Sequence, residues 1–247
     1  MEIDRINSVV DAYKKIYNNF ENILVDYRQQ IVMEQLKKYK PTSILEIGVG
    51  LNNILYNKIL KNIDIYNNIQ KWTCIEPCKE FIDNIKINDK KFNIIEGFFE
   101  NINFNHKYDF IIISGLLHEV ENPNLILQKS KNFLSENGMI HINVPNSNSF
   151  HRELGTILNI IKNKDSFSEL DKKLQHYCIF NNNSLESLIK KNKLKIVDNG
   201  GYFFKLHSNN QLFNLYNEYG SELMNGLFEL GKRYPDKAAE IFINCSS

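Results

Sequence analysis

The sequence predicts an α/β fold: a Rossmann-like, doubly wound, mostly parallel seven-stranded sheet with an N-terminal helical lid and an antiparallel edge strand. Three observations carry that prediction. The stretch Ser43-Ile44-Leu45-Glu46-Ile47-Gly48-Val49-Gly50 is an apolar run that breaks at two glycines, after which Asn52 and Asn53 lead into the helix-compatible Ile54-Leu55-Tyr56-Asn57-Lys58-Ile59-Leu60. This reads as strand, tight turn and helix, with glycines where a side chain would hold the backbone away from a ligand. Tyr108-Asp109-Phe110-Ile111-Ile112-Ile113-Ser114 is almost continuously apolar, the mark of a strand covered on both faces. Strand-like and helix-like segments alternate as far as Val144, and sheets wound in this way place ligands at the carboxyl ends of their strands.

From the amino terminus, residues 1–40 predict two helical pieces, with Ile6, Val9, Val10, Tyr13 and Tyr17 on one face and Tyr27, Ile31, Met33, Leu36 and Tyr39 on another. Pro41 ends the second piece. Such a segment covers a sheet edge or closes over the ligand, and as a lid it is set apart from the domain at 41–247. Arg28 stands where a lid presents a cation to a carboxylate. After the glycine turn a helix runs to about Asn62, and the strand Trp72-Thr73-Cys74-Ile75 ends in Glu76-Pro77. A helix from about Lys79 to Ile87 precedes the strand Phe92-Asn93-Ile94-Ile95. Beyond the fourth strand, Asn122-Pro123 starts a helix to about Leu134, Asn137-Gly138 is a turn, and Met139-Ile140-His141-Ile142-Asn143-Val144 is the fifth strand, ended by Pro145. The remainder reads as a helix over about Phe150 to Ile161, a polar loop at Lys162-Asn163-Lys164-Asp165, and a helix capped by Asn183-Ser184 that reaches Lys191. Lys195-Ile196-Val197 is a strand, Gly200-Gly201 a bulge or bend, and Tyr202-Phe203-Phe204-Lys205-Leu206 a second extended run. A helical insertion over about 208–236 precedes the closing strand Ile241-Phe242-Ile243-Asn244.

The chain has 247 residues, enough for one elaborated domain, and 30 Lys+Arg against 29 Asp+Glu leave a formal charge of +1. No long basic tract marks a nucleic-acid footprint, and no run approaches the roughly 20 apolar residues of a membrane span. Neither nucleic acid nor membrane is expected as a partner, and the expected location is cytoplasmic. Cys74, Cys78, Cys178 and Cys245 lack the paired spacing of a zinc site and read as reduced structural thiols.

Glu76, at the end of the second strand, is placed to accept from both hydroxyls of a ribose; the bland alternative is a carboxylate capping the next helix. Ile44-Leu45-Glu46-Ile47-Gly48-Val49-Gly50, Cys74-Ile75-Glu76-Pro77, Glu96-Gly97-Phe98-Phe99-Glu100 and the fourth strand with Leu117-His118-Glu119-Val120-Glu121-Asn122-Pro123 together resemble the class I S-adenosylmethionine-dependent methyltransferases over roughly residues 43 to 147. A dinucleotide dehydrogenase would want a third glycine that Val49-Gly50-Leu51-Asn52-Asn53 does not offer, and Asn52 replaces the last glycine of the commonest methyltransferase pattern too. The resemblance implies S-adenosylmethionine as cofactor, with Glu46, Gly48 and Gly50 along its methionine and ribose portion. It also implies Glu76 and Pro77 at the ribose, Phe98 and Phe99 at the adenine, and Ser114 and Gly115 near the sulfonium.

The reaction so implied is an in-line displacement, for which the protein aligns an acceptor and removes its proton. His118, His151 and His176 are the candidate bases, each with hydrogen-bonded structural histidine as its alternative; His118 is preferred, with Glu119 orienting it or pointing outward. Asn146, Arg152 and Tyr177 are candidates for substrate contact, Arg152 for a substrate phosphate. A Mg²⁺-dependent catechol type would need a carboxylate-rich cluster that Ser114 and Asn146 do not supply, so no metal is expected. The carboxyl part, with Leu174-Gln175-His176-Tyr177-Cys178, Gly200-Gly201-Tyr202-Phe203-Phe204-Lys205 and Asn225-Gly226-Leu227-Phe228-Glu229-Leu230-Gly231-Lys232-Arg233-Tyr234-Pro235-Asp236, resembles small bacterial methyltransferases of surface-polysaccharide (capsule) synthesis, which implies a sugar or nucleotide-linked sugar, such as a heptose, as the O-methyl acceptor. N-methylation of an amino sugar or other small amine, and a non-catalytic cofactor-binding partner subunit, are the rival readings. The stripe Leu223, Leu227, Phe228 and Leu230 reads equally as a homodimer surface and as internal core.

Overall fold

The computed structural model describes residues 8, 10–12, 20–50, 54–103 and 105–247. Ile6, Val9, Tyr13, Tyr17, Asn52 and Asn53, on which the readings of the first helical piece and the glycine turn partly rest, lie outside the described residues. The elements in chain order are α1 (Glu21–Tyr39), β1 (Ser43–Ile47), α2 (Ile54–Leu60), α3 (Ile63–Asn68), β2 (Lys71–Glu76), α4 (Lys79–Asp83), β3 (Phe92–Glu96) and β4 (Tyr108–Ser114). They continue with α5 (Pro123–Phe133), β5 (Leu134–Pro145), α6 (Phe150–Ile157), α7 (Glu169–Lys173), α8 (Asn182–Lys191), β6 (Lys195–Tyr202), α9 (Asn209–Arg233) and β7 (Glu240–Ser246).

The strands form one seven-stranded sheet in the order β3-β2-β1-β4-β5-β7-β6. β3 through β5 pair in parallel, and β7 runs antiparallel between β5 and β6. The antiparallel pairing therefore lies at the expected end of the sheet, while the reversed strand itself is the penultimate one. Alternation along β4 divides the core. Phe110 and Ile112 face α1, α2 and α3 through Val32, Leu36, Leu55 and Ile59; Ile111 and Ile113 face α5 and α8 through Ile126, Leu127, Leu185 and Ile189. A third cluster joins α1 to the carboxyl part, with Tyr27 stacked on Phe228 at 4.8 Å and Phe20, Phe203 and Met224 around them. Phe228 is buried in this cluster and Leu223 and Leu227 pack against it half-buried, so much of the stripe on α9 is turned inward.

Helix starts follow their polar caps. Asn62 accepts from Ile65 N and opens α3, a short helix beyond the point where the sequence ends the preceding one. Asn122 accepts from Leu125 N with Pro123 in the first turn of α5. The cap of α8 is Asn181, two residues earlier than expected, because Ser184 reciprocates as its N3 partner. Helix α4 stops at Asp83 rather than near Ile87, and α6 stops at Ile157 rather than near Ile161.

Three further expectations are corrected. Asn137-Gly138 is no free turn: both residues lie within β5, whose pairing with β4 shifts register between Tyr108 and Phe110. Gly200-Gly201 does not divide two strands, since β6 runs through both. These glycines serve close packing, because a Cβ on Gly201 would lie 2.4 Å from Pro235 O and one on Gly231 2.2 Å from Phe203 N. Finally, α9 is two helices merged across Gly220, whose backbone (φ 71°, ψ −164°) is not helical.

Candidate active site

A cavity of about 930 Å³ opens at the carboxyl ends of β1, β2, β3 and β4. Of the sequence-predicted residues, Gly48, Glu76, Pro77, Phe98, Phe99, Ser114, Gly115, Glu119 and Tyr177 line it. Val10, Cys78, Phe81, Leu116 and Leu125 also line it and were not foreseen; Val10, from the first helical piece, is buried against Cys78 and Phe81.

Glu76 organises this wall. Its Oε2 accepts from Val49 N at 2.9 Å and Gly50 N at 3.2 Å, and its Oε1 accepts from Cys78 N at 2.9 Å. Burial raises its pKa, and the three backbone N–H donors oppose that shift. A carboxylate has about four acceptor sites, so the two oxygens keep capacity for a further donor in the cavity. The turn it clasps has φ 75° at Gly48, where a Cβ would also stand 3.3 Å from Leu116 Cδ1.

Glu46 is elsewhere. It alternates with Leu45 and Ile47 on β1 and therefore faces α1 and α2, bordering a small void with Gln29, Val49 and Trp72. Its carboxylate accepts from Cys74 Sγ at 3.3 Å, and burial pushes its pKa up to about 7. The described structure gives it no place on the cavity wall.

Arg28 approaches from the back. A Cβ on Gly115, at φ 68°, would lie 2.7 Å from its Nη1. Its Nε donates to Glu240 Oε2 at 2.8 Å and its Nη2 to Glu240 Oε1, while Tyr202 OH donates to Glu240 Oε2 at 2.5 Å. The cation expected to meet a ligand carboxylate thus meets a protein one, in a fork that matches guanidinium geometry.

Beside Glu119 the structure joins two of the three candidate histidines. The rings of His118 and His176 meet edge to face at 4.5 Å, and His118 Nε2 lies 3.6 Å from Glu119 Oε1. Tyr177 N and Cys178 N both donate to His118 O, at 2.9 and 3.2 Å, which ties the two loops together. His176 Nδ1 donates to Asp171 Oδ1 at 2.9 Å, and Asp171 Oδ2 accepts from Ser168 N and Oγ and from Arg152 Nη1. His118 Nδ1 and His176 Nε2 are buried without a hydrogen-bond partner. Burial drives the His118 pKa well below the usual imidazole value, with His176 and then Arg28 adding to the shift, so its ring is neutral. Asp171 was not foreseen, although Ser168-Glu169-Leu170-Asp171 carries capping-box spacing.

The remaining candidates are not brought together with these. His151 faces Lys205 and His207, and burial pushes its pKa down to about 4. Arg152 secures the loop before α7: Nε donates to Lys164 O, Nη1 to Asp171 and Nη2 to Ser166 O, so it is not poised for a substrate phosphate. Asn146 is buried, donates to Asp236 O and Ala238 O and accepts from Asn148 N, a structural use of the whole amide.

Comparison with known proteins agrees with the fold. The chain shares its fold with the plantazolicin methyltransferase BamL, solved with a triazolic desmethylPZN analog and SAH, at 19% identity and a TM-score of 0.63 over 98% of this chain and 96% of that one. The N-methyltransferase NodS from Bradyrhizobium japonicum WM9 matches at 9% identity and a TM-score of 0.54 over 92% and 95%. A putative methyltransferase solved in complex with the Haloferax volcanii Trm112 activator matches at 8% and 0.61 over 96% of each chain. A search of curated proteins returns no match. No described helix is long and apolar enough to cross a membrane. Residues 20–199 match the family profile described as a methyltransferase domain, and the chain is therefore a member of that family, an S-adenosylmethionine-dependent methyltransferase.

Proposed function

We propose that the chain methylates a hydroxyl of a small polar acceptor, with a sugar as the acceptor class. The observation that carries this reading is the Asp171–His176 pair beside His118, next to Glu119 and Tyr177 of the cavity wall. Asp171 fixes the His176 tautomer with Nε2 as the lone-pair nitrogen, which is what deprotonation of a poorly acidic hydroxyl needs.

The cavity residues fit the cofactor. Phe98 and Leu125 offer an apolar slot for adenine, Glu76 keeps an acceptor site for a ribose hydroxyl, and Ser114 and Gly115 border the methionine end. When bound, the cofactor supplies an electrophilic methyl group. The chain's own work is to hold the acceptor in front of Gly115 between Glu119 and Tyr177, exclude water around Val10, and lead the acceptor's proton toward the His118–His176 cluster.

The nucleotide-linked version of the sugar reading loses its anchor, because Arg152 is engaged by its own loop. Transfer to an amine is the second reading, favoured by the shared fold with NodS, an N-methyltransferase. The test is transfer of labelled methyl from S-adenosylmethionine to parallel panels of free sugars and amines, for wild type and His176→Ala. Hydroxyl products whose turnover falls about 10²–10⁴-fold in His176→Ala support the proposal. Products only on amines, with turnover indifferent to His176, overturn it.

A further inference from the structure

We propose that His118, Glu119 and His176 form a binding site for a zinc-class divalent metal ion at the edge of the cavity. One ligand atom from each residue lies within 4.8 Å of the others. Ligands held about 2.0–2.2 Å from a tetrahedral ion stand about 3.3–3.6 Å apart, and the 3.6 Å between His118 Nε2 and Glu119 Oε1 already fits. Side-chain shifts of about 1 Å complete the set, well within rotamer adjustment.

A second observation points independently to a ligand. His176 Nε2 is orphaned in a protein interior, where an unpaired polar atom costs about 1–3 kcal/mol. His118 is 5% exposed and the His176 side chain 8%. The opposite nitrogen of His176 is held by Asp171, and Asp171 is held by Arg152 and Ser168. A carboxylate on one imidazole nitrogen fixes the ring with the other nitrogen available, the arrangement that commonly backs metal-ligating histidines.

The surrounding charge permits a cation. Arg28 is neutralised by Glu240 and Arg152 by Asp171, and the carboxylates of Glu119 and Asp171 both lie against the histidine pair. Glu119 and Tyr177 line the cavity, so the cluster opens onto it and an ion there keeps a coordination position toward the acceptor. Two imidazoles and one carboxylate suit Zn²⁺, Co²⁺ or Ni²⁺ better than Mg²⁺, so this site differs in kind from the oxygen-rich Mg²⁺ site the sequence argued against. An ion here takes the His176 Nε2 lone pair that the proposed function gives to proton removal, so metal binding and general-base use of His176 exclude each other.

The test uses full-length protein freed of any histidine tag and stripped with chelator, then titrated with Co²⁺ and with Zn²⁺ while visible absorption and bound metal are measured. One Co²⁺ per chain, with the absorption of a low-coordinate nitrogen-oxygen site and displacement by Zn²⁺, is expected. His118→Ala and His176→Ala should weaken it at least 100-fold with affinity for S-adenosylhomocysteine retained, and Asp171→Asn about 10–100-fold. If an alanine variant misfolds and loses S-adenosylhomocysteine binding, Glu119→Gln decides by the same loss of Co²⁺ affinity. No stoichiometric binding by wild type, or binding undiminished in the correctly folded variants, overturns the site. Metal failure with S-adenosylhomocysteine binding intact leaves the methyltransferase reading standing.

Discussion

The two sides of the cavity are built differently. On the cofactor side, the ends of β1, β2 and β3 meet through short-range backbone geometry: a glycine turn clasped by one carboxylate, Glu76, from the next strand. On the acceptor side, the ends of β4, β5 and β7 meet through side-chain networks that draw on distant segments, Arg28 with Glu240 and Tyr202, and Arg152 with Asp171, His176 and His118. The proposed cofactor wall is thus built from strand ends, whereas the proposed acceptor wall depends on pairs that only the finished fold assembles.

The largest expected effect tests whether the acceptor side hangs on those pairs. Glu240→Ala strands the partly buried Arg28 cation and should cost about 3–5 kcal/mol in urea unfolding, with Glu240→Ala plus Arg28→Met recovering much of it. A loss under 1 kcal/mol would mean that the fork is incidental.

Buried groups elsewhere in the fold titrate with opposite sign. His118, His141 and His151 have pKa values lowered by burial, the latter two to about 4. Between that value and about 6.5 the unfolded chain binds protons that the folded chain refuses, so stability is lost as pH falls through this window. For fully buried His141 the loss is about 3 kcal/mol. Glu46, raised to about 7, acts the other way: the folded chain holds a proton the unfolded chain has released, so its contribution declines as pH rises from about 4.5 to 7. Glu46→Gln should therefore steepen the acid loss seen in pH-dependent melts, and an unchanged slope would remove Glu46 from the account.

Gly115→Ala probes where the two sides touch. A Cβ at φ 68° and 2.7 Å from Arg28 Nη1 should cost about 1–3 kcal/mol and displace Arg28; a variant as stable as wild type would show that this approach is loose.

The strand ends around the cavity were legible in the sequence, since glycine turns, strand-end carboxylates and apolar runs are constraints within a few residues of each other. Glu76, Ser114 and Gly115 could be placed because strand order alone carries them to one rim. Glu46 was misplaced, because sitting near the turn does not say which face of β1 its side chain takes, and Ile47 takes the cavity face. On the acceptor side, residue type without pairing misled. Arg152 and Asn146 sit at suggestive positions but are consumed by backbone carbonyls of loops that local patterns do not fix. Glu240 carries no local signal at all, since its meaning comes from Arg28, 212 positions away.

The most direct test of the central claim is calorimetric titration of S-adenosylhomocysteine into wild type and Glu76→Ala, with NAD as control ligand. The account predicts binding to wild type, none to NAD at comparable concentrations, and a loss of about 1–3 kcal/mol in Glu76→Ala as the clasped turn loses its charged acceptor. No binding by wild type, or an affinity indifferent to Glu76, would contradict it.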